Sequence, residues 1–163
     1  MKHAIIVLLA FSLTPLTVAQ NKKVPWKEMV YASDGFAITV PYPPLPHADA
    51  NIPETNTYPI YFPDADGIRL SLRVMHQSRN CSETLERLKR NPSADASSIR
   101  ELSIDGHPGL EYRWQTDRDT MGWERYYCVN DHWYIFAARW PRAHQYPLLI
   151  DRVIKSFRLI KVE

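Results

Sequence analysis

The sequence predicts an α+β domain, an antiparallel β-sheet of about six to eight strands packed by two main helices. Three observations carry this. Ile68, Leu70, Leu72 and Val74 alternate with Arg69, Ser71 and Arg73, the period of a strand that is buried on one side and wet on the other. Residues 123–140 hold two apolar runs of strand length around Asn130-Asp131, a pair suited to the positive φ angles of a tight hairpin turn. Tyr146, Leu149, Ile150, Val153, Ile154 and Phe157 recur at the spacing of an amphipathic helix, with Asp151, Arg152, Lys155 and Arg158 on the wet face. Strands that succeed one another through tight turns pair antiparallel, and the helices then cover the sheet.

Residues 1–19 read as a secretory signal peptide. Lys2 and His3 form a basic start, residues 4–13 an apolar core, and Thr17-Val18-Ala19 a small-residue cleavage site ahead of Gln20. The core is short of the roughly 20 residues a spanning helix needs. The expectation is an exported protein, periplasmic or extracellular, with no stable membrane span. Residues 20–28 read as a flexible lead-in and residues 29–160 as a single α+β domain, long enough for a real core.

Within the domain, residues 29–31 and 36–40 read as two short strands around Asp34-Gly35, and Pro41 stops the ladder. Residues 41–63 contain seven of the 13 prolines and read as an extended surface loop, either a stiffened connection or a binding loop. A short strand at 58–62 is expected at a sheet edge because of Pro59 and Pro63. Asp64-Ala65-Asp66-Gly67 is a turn; its DxDG spacing lacks the other ligands of a calcium loop. Asn80 with Glu83 three residues on marks a helix start, carrying Leu85 and Leu88 and ending near Asn91-Pro92. Residues 99–104 and 109–116 form a strand pair around Asp105-Gly106, with Leu110, Tyr112 and Trp114 opposed to Glu111, Arg113 and Gln115. Pro141 suits the start of the last helix.

Twenty basic residues stand against 18 acidic ones, so the charge balance carries no footprint for nucleic acid and no polybasic membrane patch. Cys81 and Cys128 either pair or remain two separate buried thiols. Export and an even count favour the disulfide, and the closed loop would stabilise the fold by about 4 kcal/mol on chain-entropy grounds. No GxSxG, HExxH, phosphate-binding glycine loop or CxxC is present. His47, His76, His107, His132 and His144 lack helical metal-ligand spacing, and a zinc site would need distant convergence with Asp64, Asp66, Asp117 or Asp119; no metal or cofactor is expected. Glu111 and Glu124 form either a cross-strand carboxylate pair or ion pairs with Arg113 or Arg125.

Three stretches carry a family resemblance: Ser33-Asp34-Gly35-Phe36-Ala37-Ile38 running to Pro41, Ile104-Asp105-Gly106-His107-Pro108-Gly109 before a strand, and Ile154-Lys155-Ser156-Phe157 closing the last helix. Together they resemble the PsbP-like domains, exported α/β/α sandwiches named after an extrinsic photosystem II subunit. The resemblance implies a binding, assembly or accessory role rather than catalysis. It carries no catalytic residue onto this chain.

The feature above background is aromatic. Trp114, Trp123, Tyr126, Trp133, Tyr134 and Trp140 lie within thirty residues, and Tyr42 and Tyr58 sit in the proline-rich segment. They read either as core or as a partly open surface that docks a protein partner or stacks on a sugar or other flat ligand. The expected function is that of a non-enzymatic binding or accessory protein acting by contact with an unknown protein of the cell envelope. An inhibitor or immunity-type protein against an envelope enzyme is the alternative, and a small metal-dependent hydrolase a more remote one.

Overall fold

The computed structural model describes residues 25–48, 52, 54–63, 65–76, 80–90, 95–115, 117–130 and 132–161. The predicted leader lies outside these residues, as do Asp64 and Asp131. Ten strands and two α-helices form: β1 (Lys27–Tyr31), β2 (Phe36–Val40), β3 (His47–Ala48), β4 (Thr55–Ile60), β5 (Arg69–Met75), α1 (Cys81–Lys89), β6 (Arg100–Ile104), β7 (His107–Gln115), β8 (Thr120–Val129), β9 (His132–Pro141), α2 (Leu148–Ser156) and β10 (Arg158–Leu159).

All pairings are antiparallel. Seven strands, within the expected six to eight, make the main sheet in the order β3-β4-β5-β9-β8-β7-β6, with the aromatic β8–β9 hairpin near its middle, as expected. The remaining three form a separate small sheet, β1-β2-β10, which the sequence does not distinguish from the rest. The cause is alternation. Phe36, Ile38 and Val40 of β2 are buried together with Ala37, so this strand is covered on both sides and packs as a second layer. The small sheet and α2 cover the inner face of the main sheet. Ile150, Val153, Ile154 and Phe157 meet Phe36, Trp123, Tyr127, Tyr134, Phe136 and Trp140 there. Helix α1 lies on the outer face, where Leu85 packs with Leu110, Tyr112, Cys128 and Trp133. Cys81 and Cys128 form a disulfide that fastens the start of α1 to the end of β8, with Cα atoms 5.9 Å apart.

Turn chemistry follows the residues. Asp105 and Gly106 take φ of 48° and 82° between β6 and β7, and Asn130 takes 52° before β9, as two-residue hairpins require. Asn80 caps α1 by accepting the backbone N–H of Glu83 at 3.2 Å.

Three expectations are corrected. The lead-in at 20–28 ends earlier, because Lys27 and Glu28 pair with Val40 and Thr39, and Trp26 packs on Phe62 beneath Arg152. The strand expected at 58–62 spans Thr55–Ile60 and is flanked by β3; the β3 ladder reaches only Asn56 and Thr57, so Pro59 stays outside it. Pro141 ends β9 opposite Thr120 instead of opening a helix. Pro147 does that, its φ of −69° set directly before the first turn of α2.

Candidate functional site

Two polar constellations stand out, one on each side of the main sheet. On the inner side, the turn between β1 and β2 delivers Asp34 into the interior, where it is 2% exposed. Gly35, at φ 70°, closes that turn in the left-handed conformation and lets β2 leave at once. The Asp34 carboxylate accepts Asn56 Nδ2 at 3.2 and 3.0 Å, the Tyr58 hydroxyl through a short bond, and His76 Nε2 at 3.0 Å. The Tyr134 hydroxyl donates to the Asp34 carbonyl oxygen at 2.7 Å. Donors from β4, from β9 and from the end of β5 therefore converge on one residue of the small sheet's turn. Burial and the adjacent carboxylate hold the Tyr58 hydroxyl protonated far above its ordinary range, and burial followed by the Asp34 charge pushes Tyr134 up to about 12.

His76 is half-buried, and its ring meets His132 edge-on at 4.5 Å. Asp34 and His76 have the geometry of a carboxylate orienting an imidazole. The same carboxylate is already shared with Asn56 and Tyr58, and no Ser or Cys nucleophile adjoins His76 in its described hydrogen bonds. Among the described residues no group of three or more His, Cys, Asp or Glu side chains is arranged to hold a metal. What the cluster does physically is pin the small sheet to the main sheet.

On the outer side, α1 covers only part of the sheet. The register lays this face out in three rows; the α1 cluster buries Leu110 and Tyr112 and takes in Trp114, Tyr126 and Ile135, while Arg69 and Arg139 at the β5–β9 side are exposed. Trp114, Gly122, Arg139 and Arg69 form the first; Tyr112, Glu124, Ala137 and Ser71 the second; Leu110, Tyr126, Ile135 and Arg73 the third. Gly122 has no Cβ because the Trp114 ring lies against its backbone; an added Cβ would sit 2.4 Å from that ring. Arg139 stacks on Trp114 at 5.2 Å. The Glu124 carboxylate accepts the Tyr112 hydroxyl at 2.8 Å and the Tyr126 hydroxyl through a short bond, and burial together with that charge keeps Tyr126 protonated well above its usual range. Glu111 lies on the other face and pairs with Arg125 at 2.6 Å, so the carboxylate pair with Glu124 is not formed.

The expected aromatic surface is redrawn accordingly. Trp123, Trp133, Tyr134, Trp140 and Tyr58 are buried and belong to the core, since both faces of the hairpin are covered near the centre of the sheet. Trp114 and Tyr126 remain half-buried on the outer face, and Tyr42 is exposed in the proline-rich loop, alongside Leu45. His47 and His144 are solitary surface side chains. Sequence reasoning missed Asp34 as a hub and Arg69, Arg73 and Arg139 as a group.

Among the described residues, one shallow cleft of about 490 Å³ runs along α1, lined by Asn80, Glu83 and Arg87, and another of about 180 Å³ lies beside Glu111 and Arg113. The smaller cleft also holds Ser97 and Ser98, whose hydroxyls donate to the Asp95 carboxylate and to the Asp95 carbonyl oxygen, both at 2.7 Å. No family model and no curated protein matches the chain. Solved structures do. The solution structure of cyanobacterial PsbP (CyanoP) from Synechocystis sp. PCC 6803 superposes with a TM-score of 0.59 at 11% identity, over 91% of this chain and 98% of that one. The fold is PsbP-like. A crystal structure from Bacteroides thetaiotaomicron also superposes, with a TM-score of 0.56 at 12% identity over 83% of this chain. The present chain spans only 48% of that protein. No helix among the described residues is long and apolar enough to cross a membrane.

Proposed function

We propose that this protein is an exported, non-enzymatic accessory protein that acts by contact, docking a protein of the cell envelope on the part of its outer sheet face that α1 leaves open. One observation carries the reading: the carboxylates of Asp34 inside and of Glu124 on the outer face are consumed by internal hydrogen bonds, whereas the first outer row ends in two exposed arginines with no carboxylate partner among the described ion pairs. Asp34 and Glu124 are each engaged by tyrosine hydroxyls. Arg69 and Arg139, by contrast, are exposed at the sheet surface. A sheet of seven strands with only a nine-residue helix on one side has area left to bury. The PsbP-like fold and the Cys81–Cys128 disulfide accord with a role outside the cytoplasm.

The test is site-specific photo-crosslinking in the native envelope. A crosslinker at Ser71 or Ala137, at the centre of the open face, should trap one partner that also co-purifies at fixed stoichiometry. The same probe at Lys155 on α2 should not. Equal yields at all three positions, or no partner at Ser71 and Ala137, would overturn the proposal.

A further inference from the structure

Arg69 and Arg139 are direct cross-strand neighbours on the outer face, and Arg73 stands on the same face of β5 two pairs further along. Like charges placed opposite each other on adjacent strands repel. Here no described carboxylate relieves them: the ion pairs of the described residues use Arg125, Arg158, His76, Lys89 and Lys155, and none uses these three arginines. Arg73 is the more telling residue. Its Nε is buried and has no hydrogen-bond partner, a costly arrangement for a charged donor. Trp114 Nε1, in the Arg69–Arg139 row, is likewise buried without a partner. Between the two arginine rows the floor is made of Ser71 and Ala137, two of the smallest side chains on this face. By register, then, Arg69 and Arg139 on one side and Arg73 on the other flank a small-residue strip, here called the trough, with Arg139 stacked on Trp114.

Glu124 bounds the trough at the β8 end, its charge taken up by the Tyr112 and Tyr126 hydroxyls. This fixed negative charge disfavours a dense polyanion lying along the whole face. It leaves room for discrete carboxylates aimed at the β5–β9 side. Planar guanidinium groups bind two-oxygen acids in a forked geometry, which suits carboxylates spaced along a chain. Arg69 and Arg73 are four residues apart, roughly 13 Å along an extended strand. Glutamates at i and i+4 of an extended peptide have the same separation.

We propose that the trough of Arg69, Arg73 and Arg139 over Ser71 and Ala137 is a recognition site for an extended acidic peptide segment of the partner protein. The proposal rests on the contact role argued above and names the chemistry of the occupant. The test uses isotope-labelled full chain and the arginine side-chain Nε–Hε resonances. The probe is a soluble peptide of otherwise uncharged residues with glutamates at i and i+4; the control carries glutamine there. The glutamate peptide should shift Arg69, Arg73 and Arg139 saturably while leaving Arg118 and Arg152 in place. The glutamine peptide should bind at least tenfold more weakly, and R69Q or R139Q, both exposed positions that do not threaten folding, should each weaken the glutamate peptide about fivefold. Uniform shifts over all arginines, equal binding of the two peptides, or stronger binding of inorganic pyrophosphate than of the peptide would each overturn it. Should the Ser71 crosslinker trap a partner whose binding ignores R69Q and R139Q, the contact role would stand and the acidic-peptide claim alone would fall.

Discussion

Asp34 shows how much one residue can hold. Its carboxylate accepts from three side chains, two on β4 and one just past the end of β5, although it belongs to a turn of the small sheet. Replacing it by Asn puts an amide N–H₂ against donors, so D34N should cost about 3 kcal/mol, read as a lower midpoint in urea unfolding. Tyr58→Phe removes a single donor and should cost only about 1 kcal/mol. Nothing in the local sequence announces this, since Ser33-Asp34-Gly35 reads equally well as a solvent turn and its partners lie 22 to 100 positions away. The same limit hid Arg73, which strand alternation marks correctly as outward-facing without revealing that its Nε would be buried. Tyr134 supplies a pH test at this scale. Its folded value is raised to about 12 from the ordinary 10.0, so its contribution is complete below about pH 10 and is lost as pH rises through 12. Tyr58 and Tyr126 are shifted the same way. Urea midpoints should therefore hold level to about pH 10 and fall beyond it, and Tyr134→Phe should make that fall shallower.

At the scale of elements, strands were legible wherever one face is buried and the other wet. β5 and β7 show this, and the Asp105-Gly106 turn follows from its dipeptide alone. Assignment of strands to sheets was not legible, because a strand covered on both faces, as β2 is, carries no mark of which layer it joins. The motif glycine after that turn has a packing reason of its own. A Cβ at Gly109 would meet the Tyr126 carbonyl oxygen at 2.5 Å, and a backbone atom of β8 cannot step aside without disturbing the β7–β8 ladder. Gly109→Ala should destabilise by about 1–3 kcal/mol. Gly122→Ala meets a side chain first, the Trp114 ring at 2.4 Å, and should show as altered tryptophan emission together with a loss of stability. Helix α1 is nine residues long and buries Leu85 most fully, so its attachment depends on the disulfide. The double variant Cys81→Ser with Cys128→Ser should lose about 2–4 kcal/mol, with amide exchange rising first in α1 and last in β8 and β9.

The whole molecule is two layers clasped at both ends of the small sheet. Asp34 locks one end. There too the chain, having left α2 and turned at Phe157, adds β10 to β2, with Ile160 N–H donating to the Gly35 carbonyl oxygen at 2.9 Å; the other end of β2 is held by α2. Ser156 Oγ accepts the Thr39 N–H at 2.8 Å and so joins the helix end to the same strand. Phe157 is the centre of this clasp: its ring meets Phe36 of the small sheet and Tyr127, Tyr134 and Phe136 of the main sheet at centroid distances of 5.8, 6.1, 5.5 and 5.0 Å. Removing it leaves a cavity walled by both layers that neither can fill alone, because strand ladders fix the backbones around it. Phe157→Ala should therefore cost about 3–5 kcal/mol. The form of the transition matters as much as the size. Since the ring touches both layers, far-ultraviolet and tryptophan signals should lose stability together, in one transition. An early tryptophan-silent loss of only the small sheet would mean that the layers are independent units, and that Phe157 seals a joint instead of forming part of a shared core.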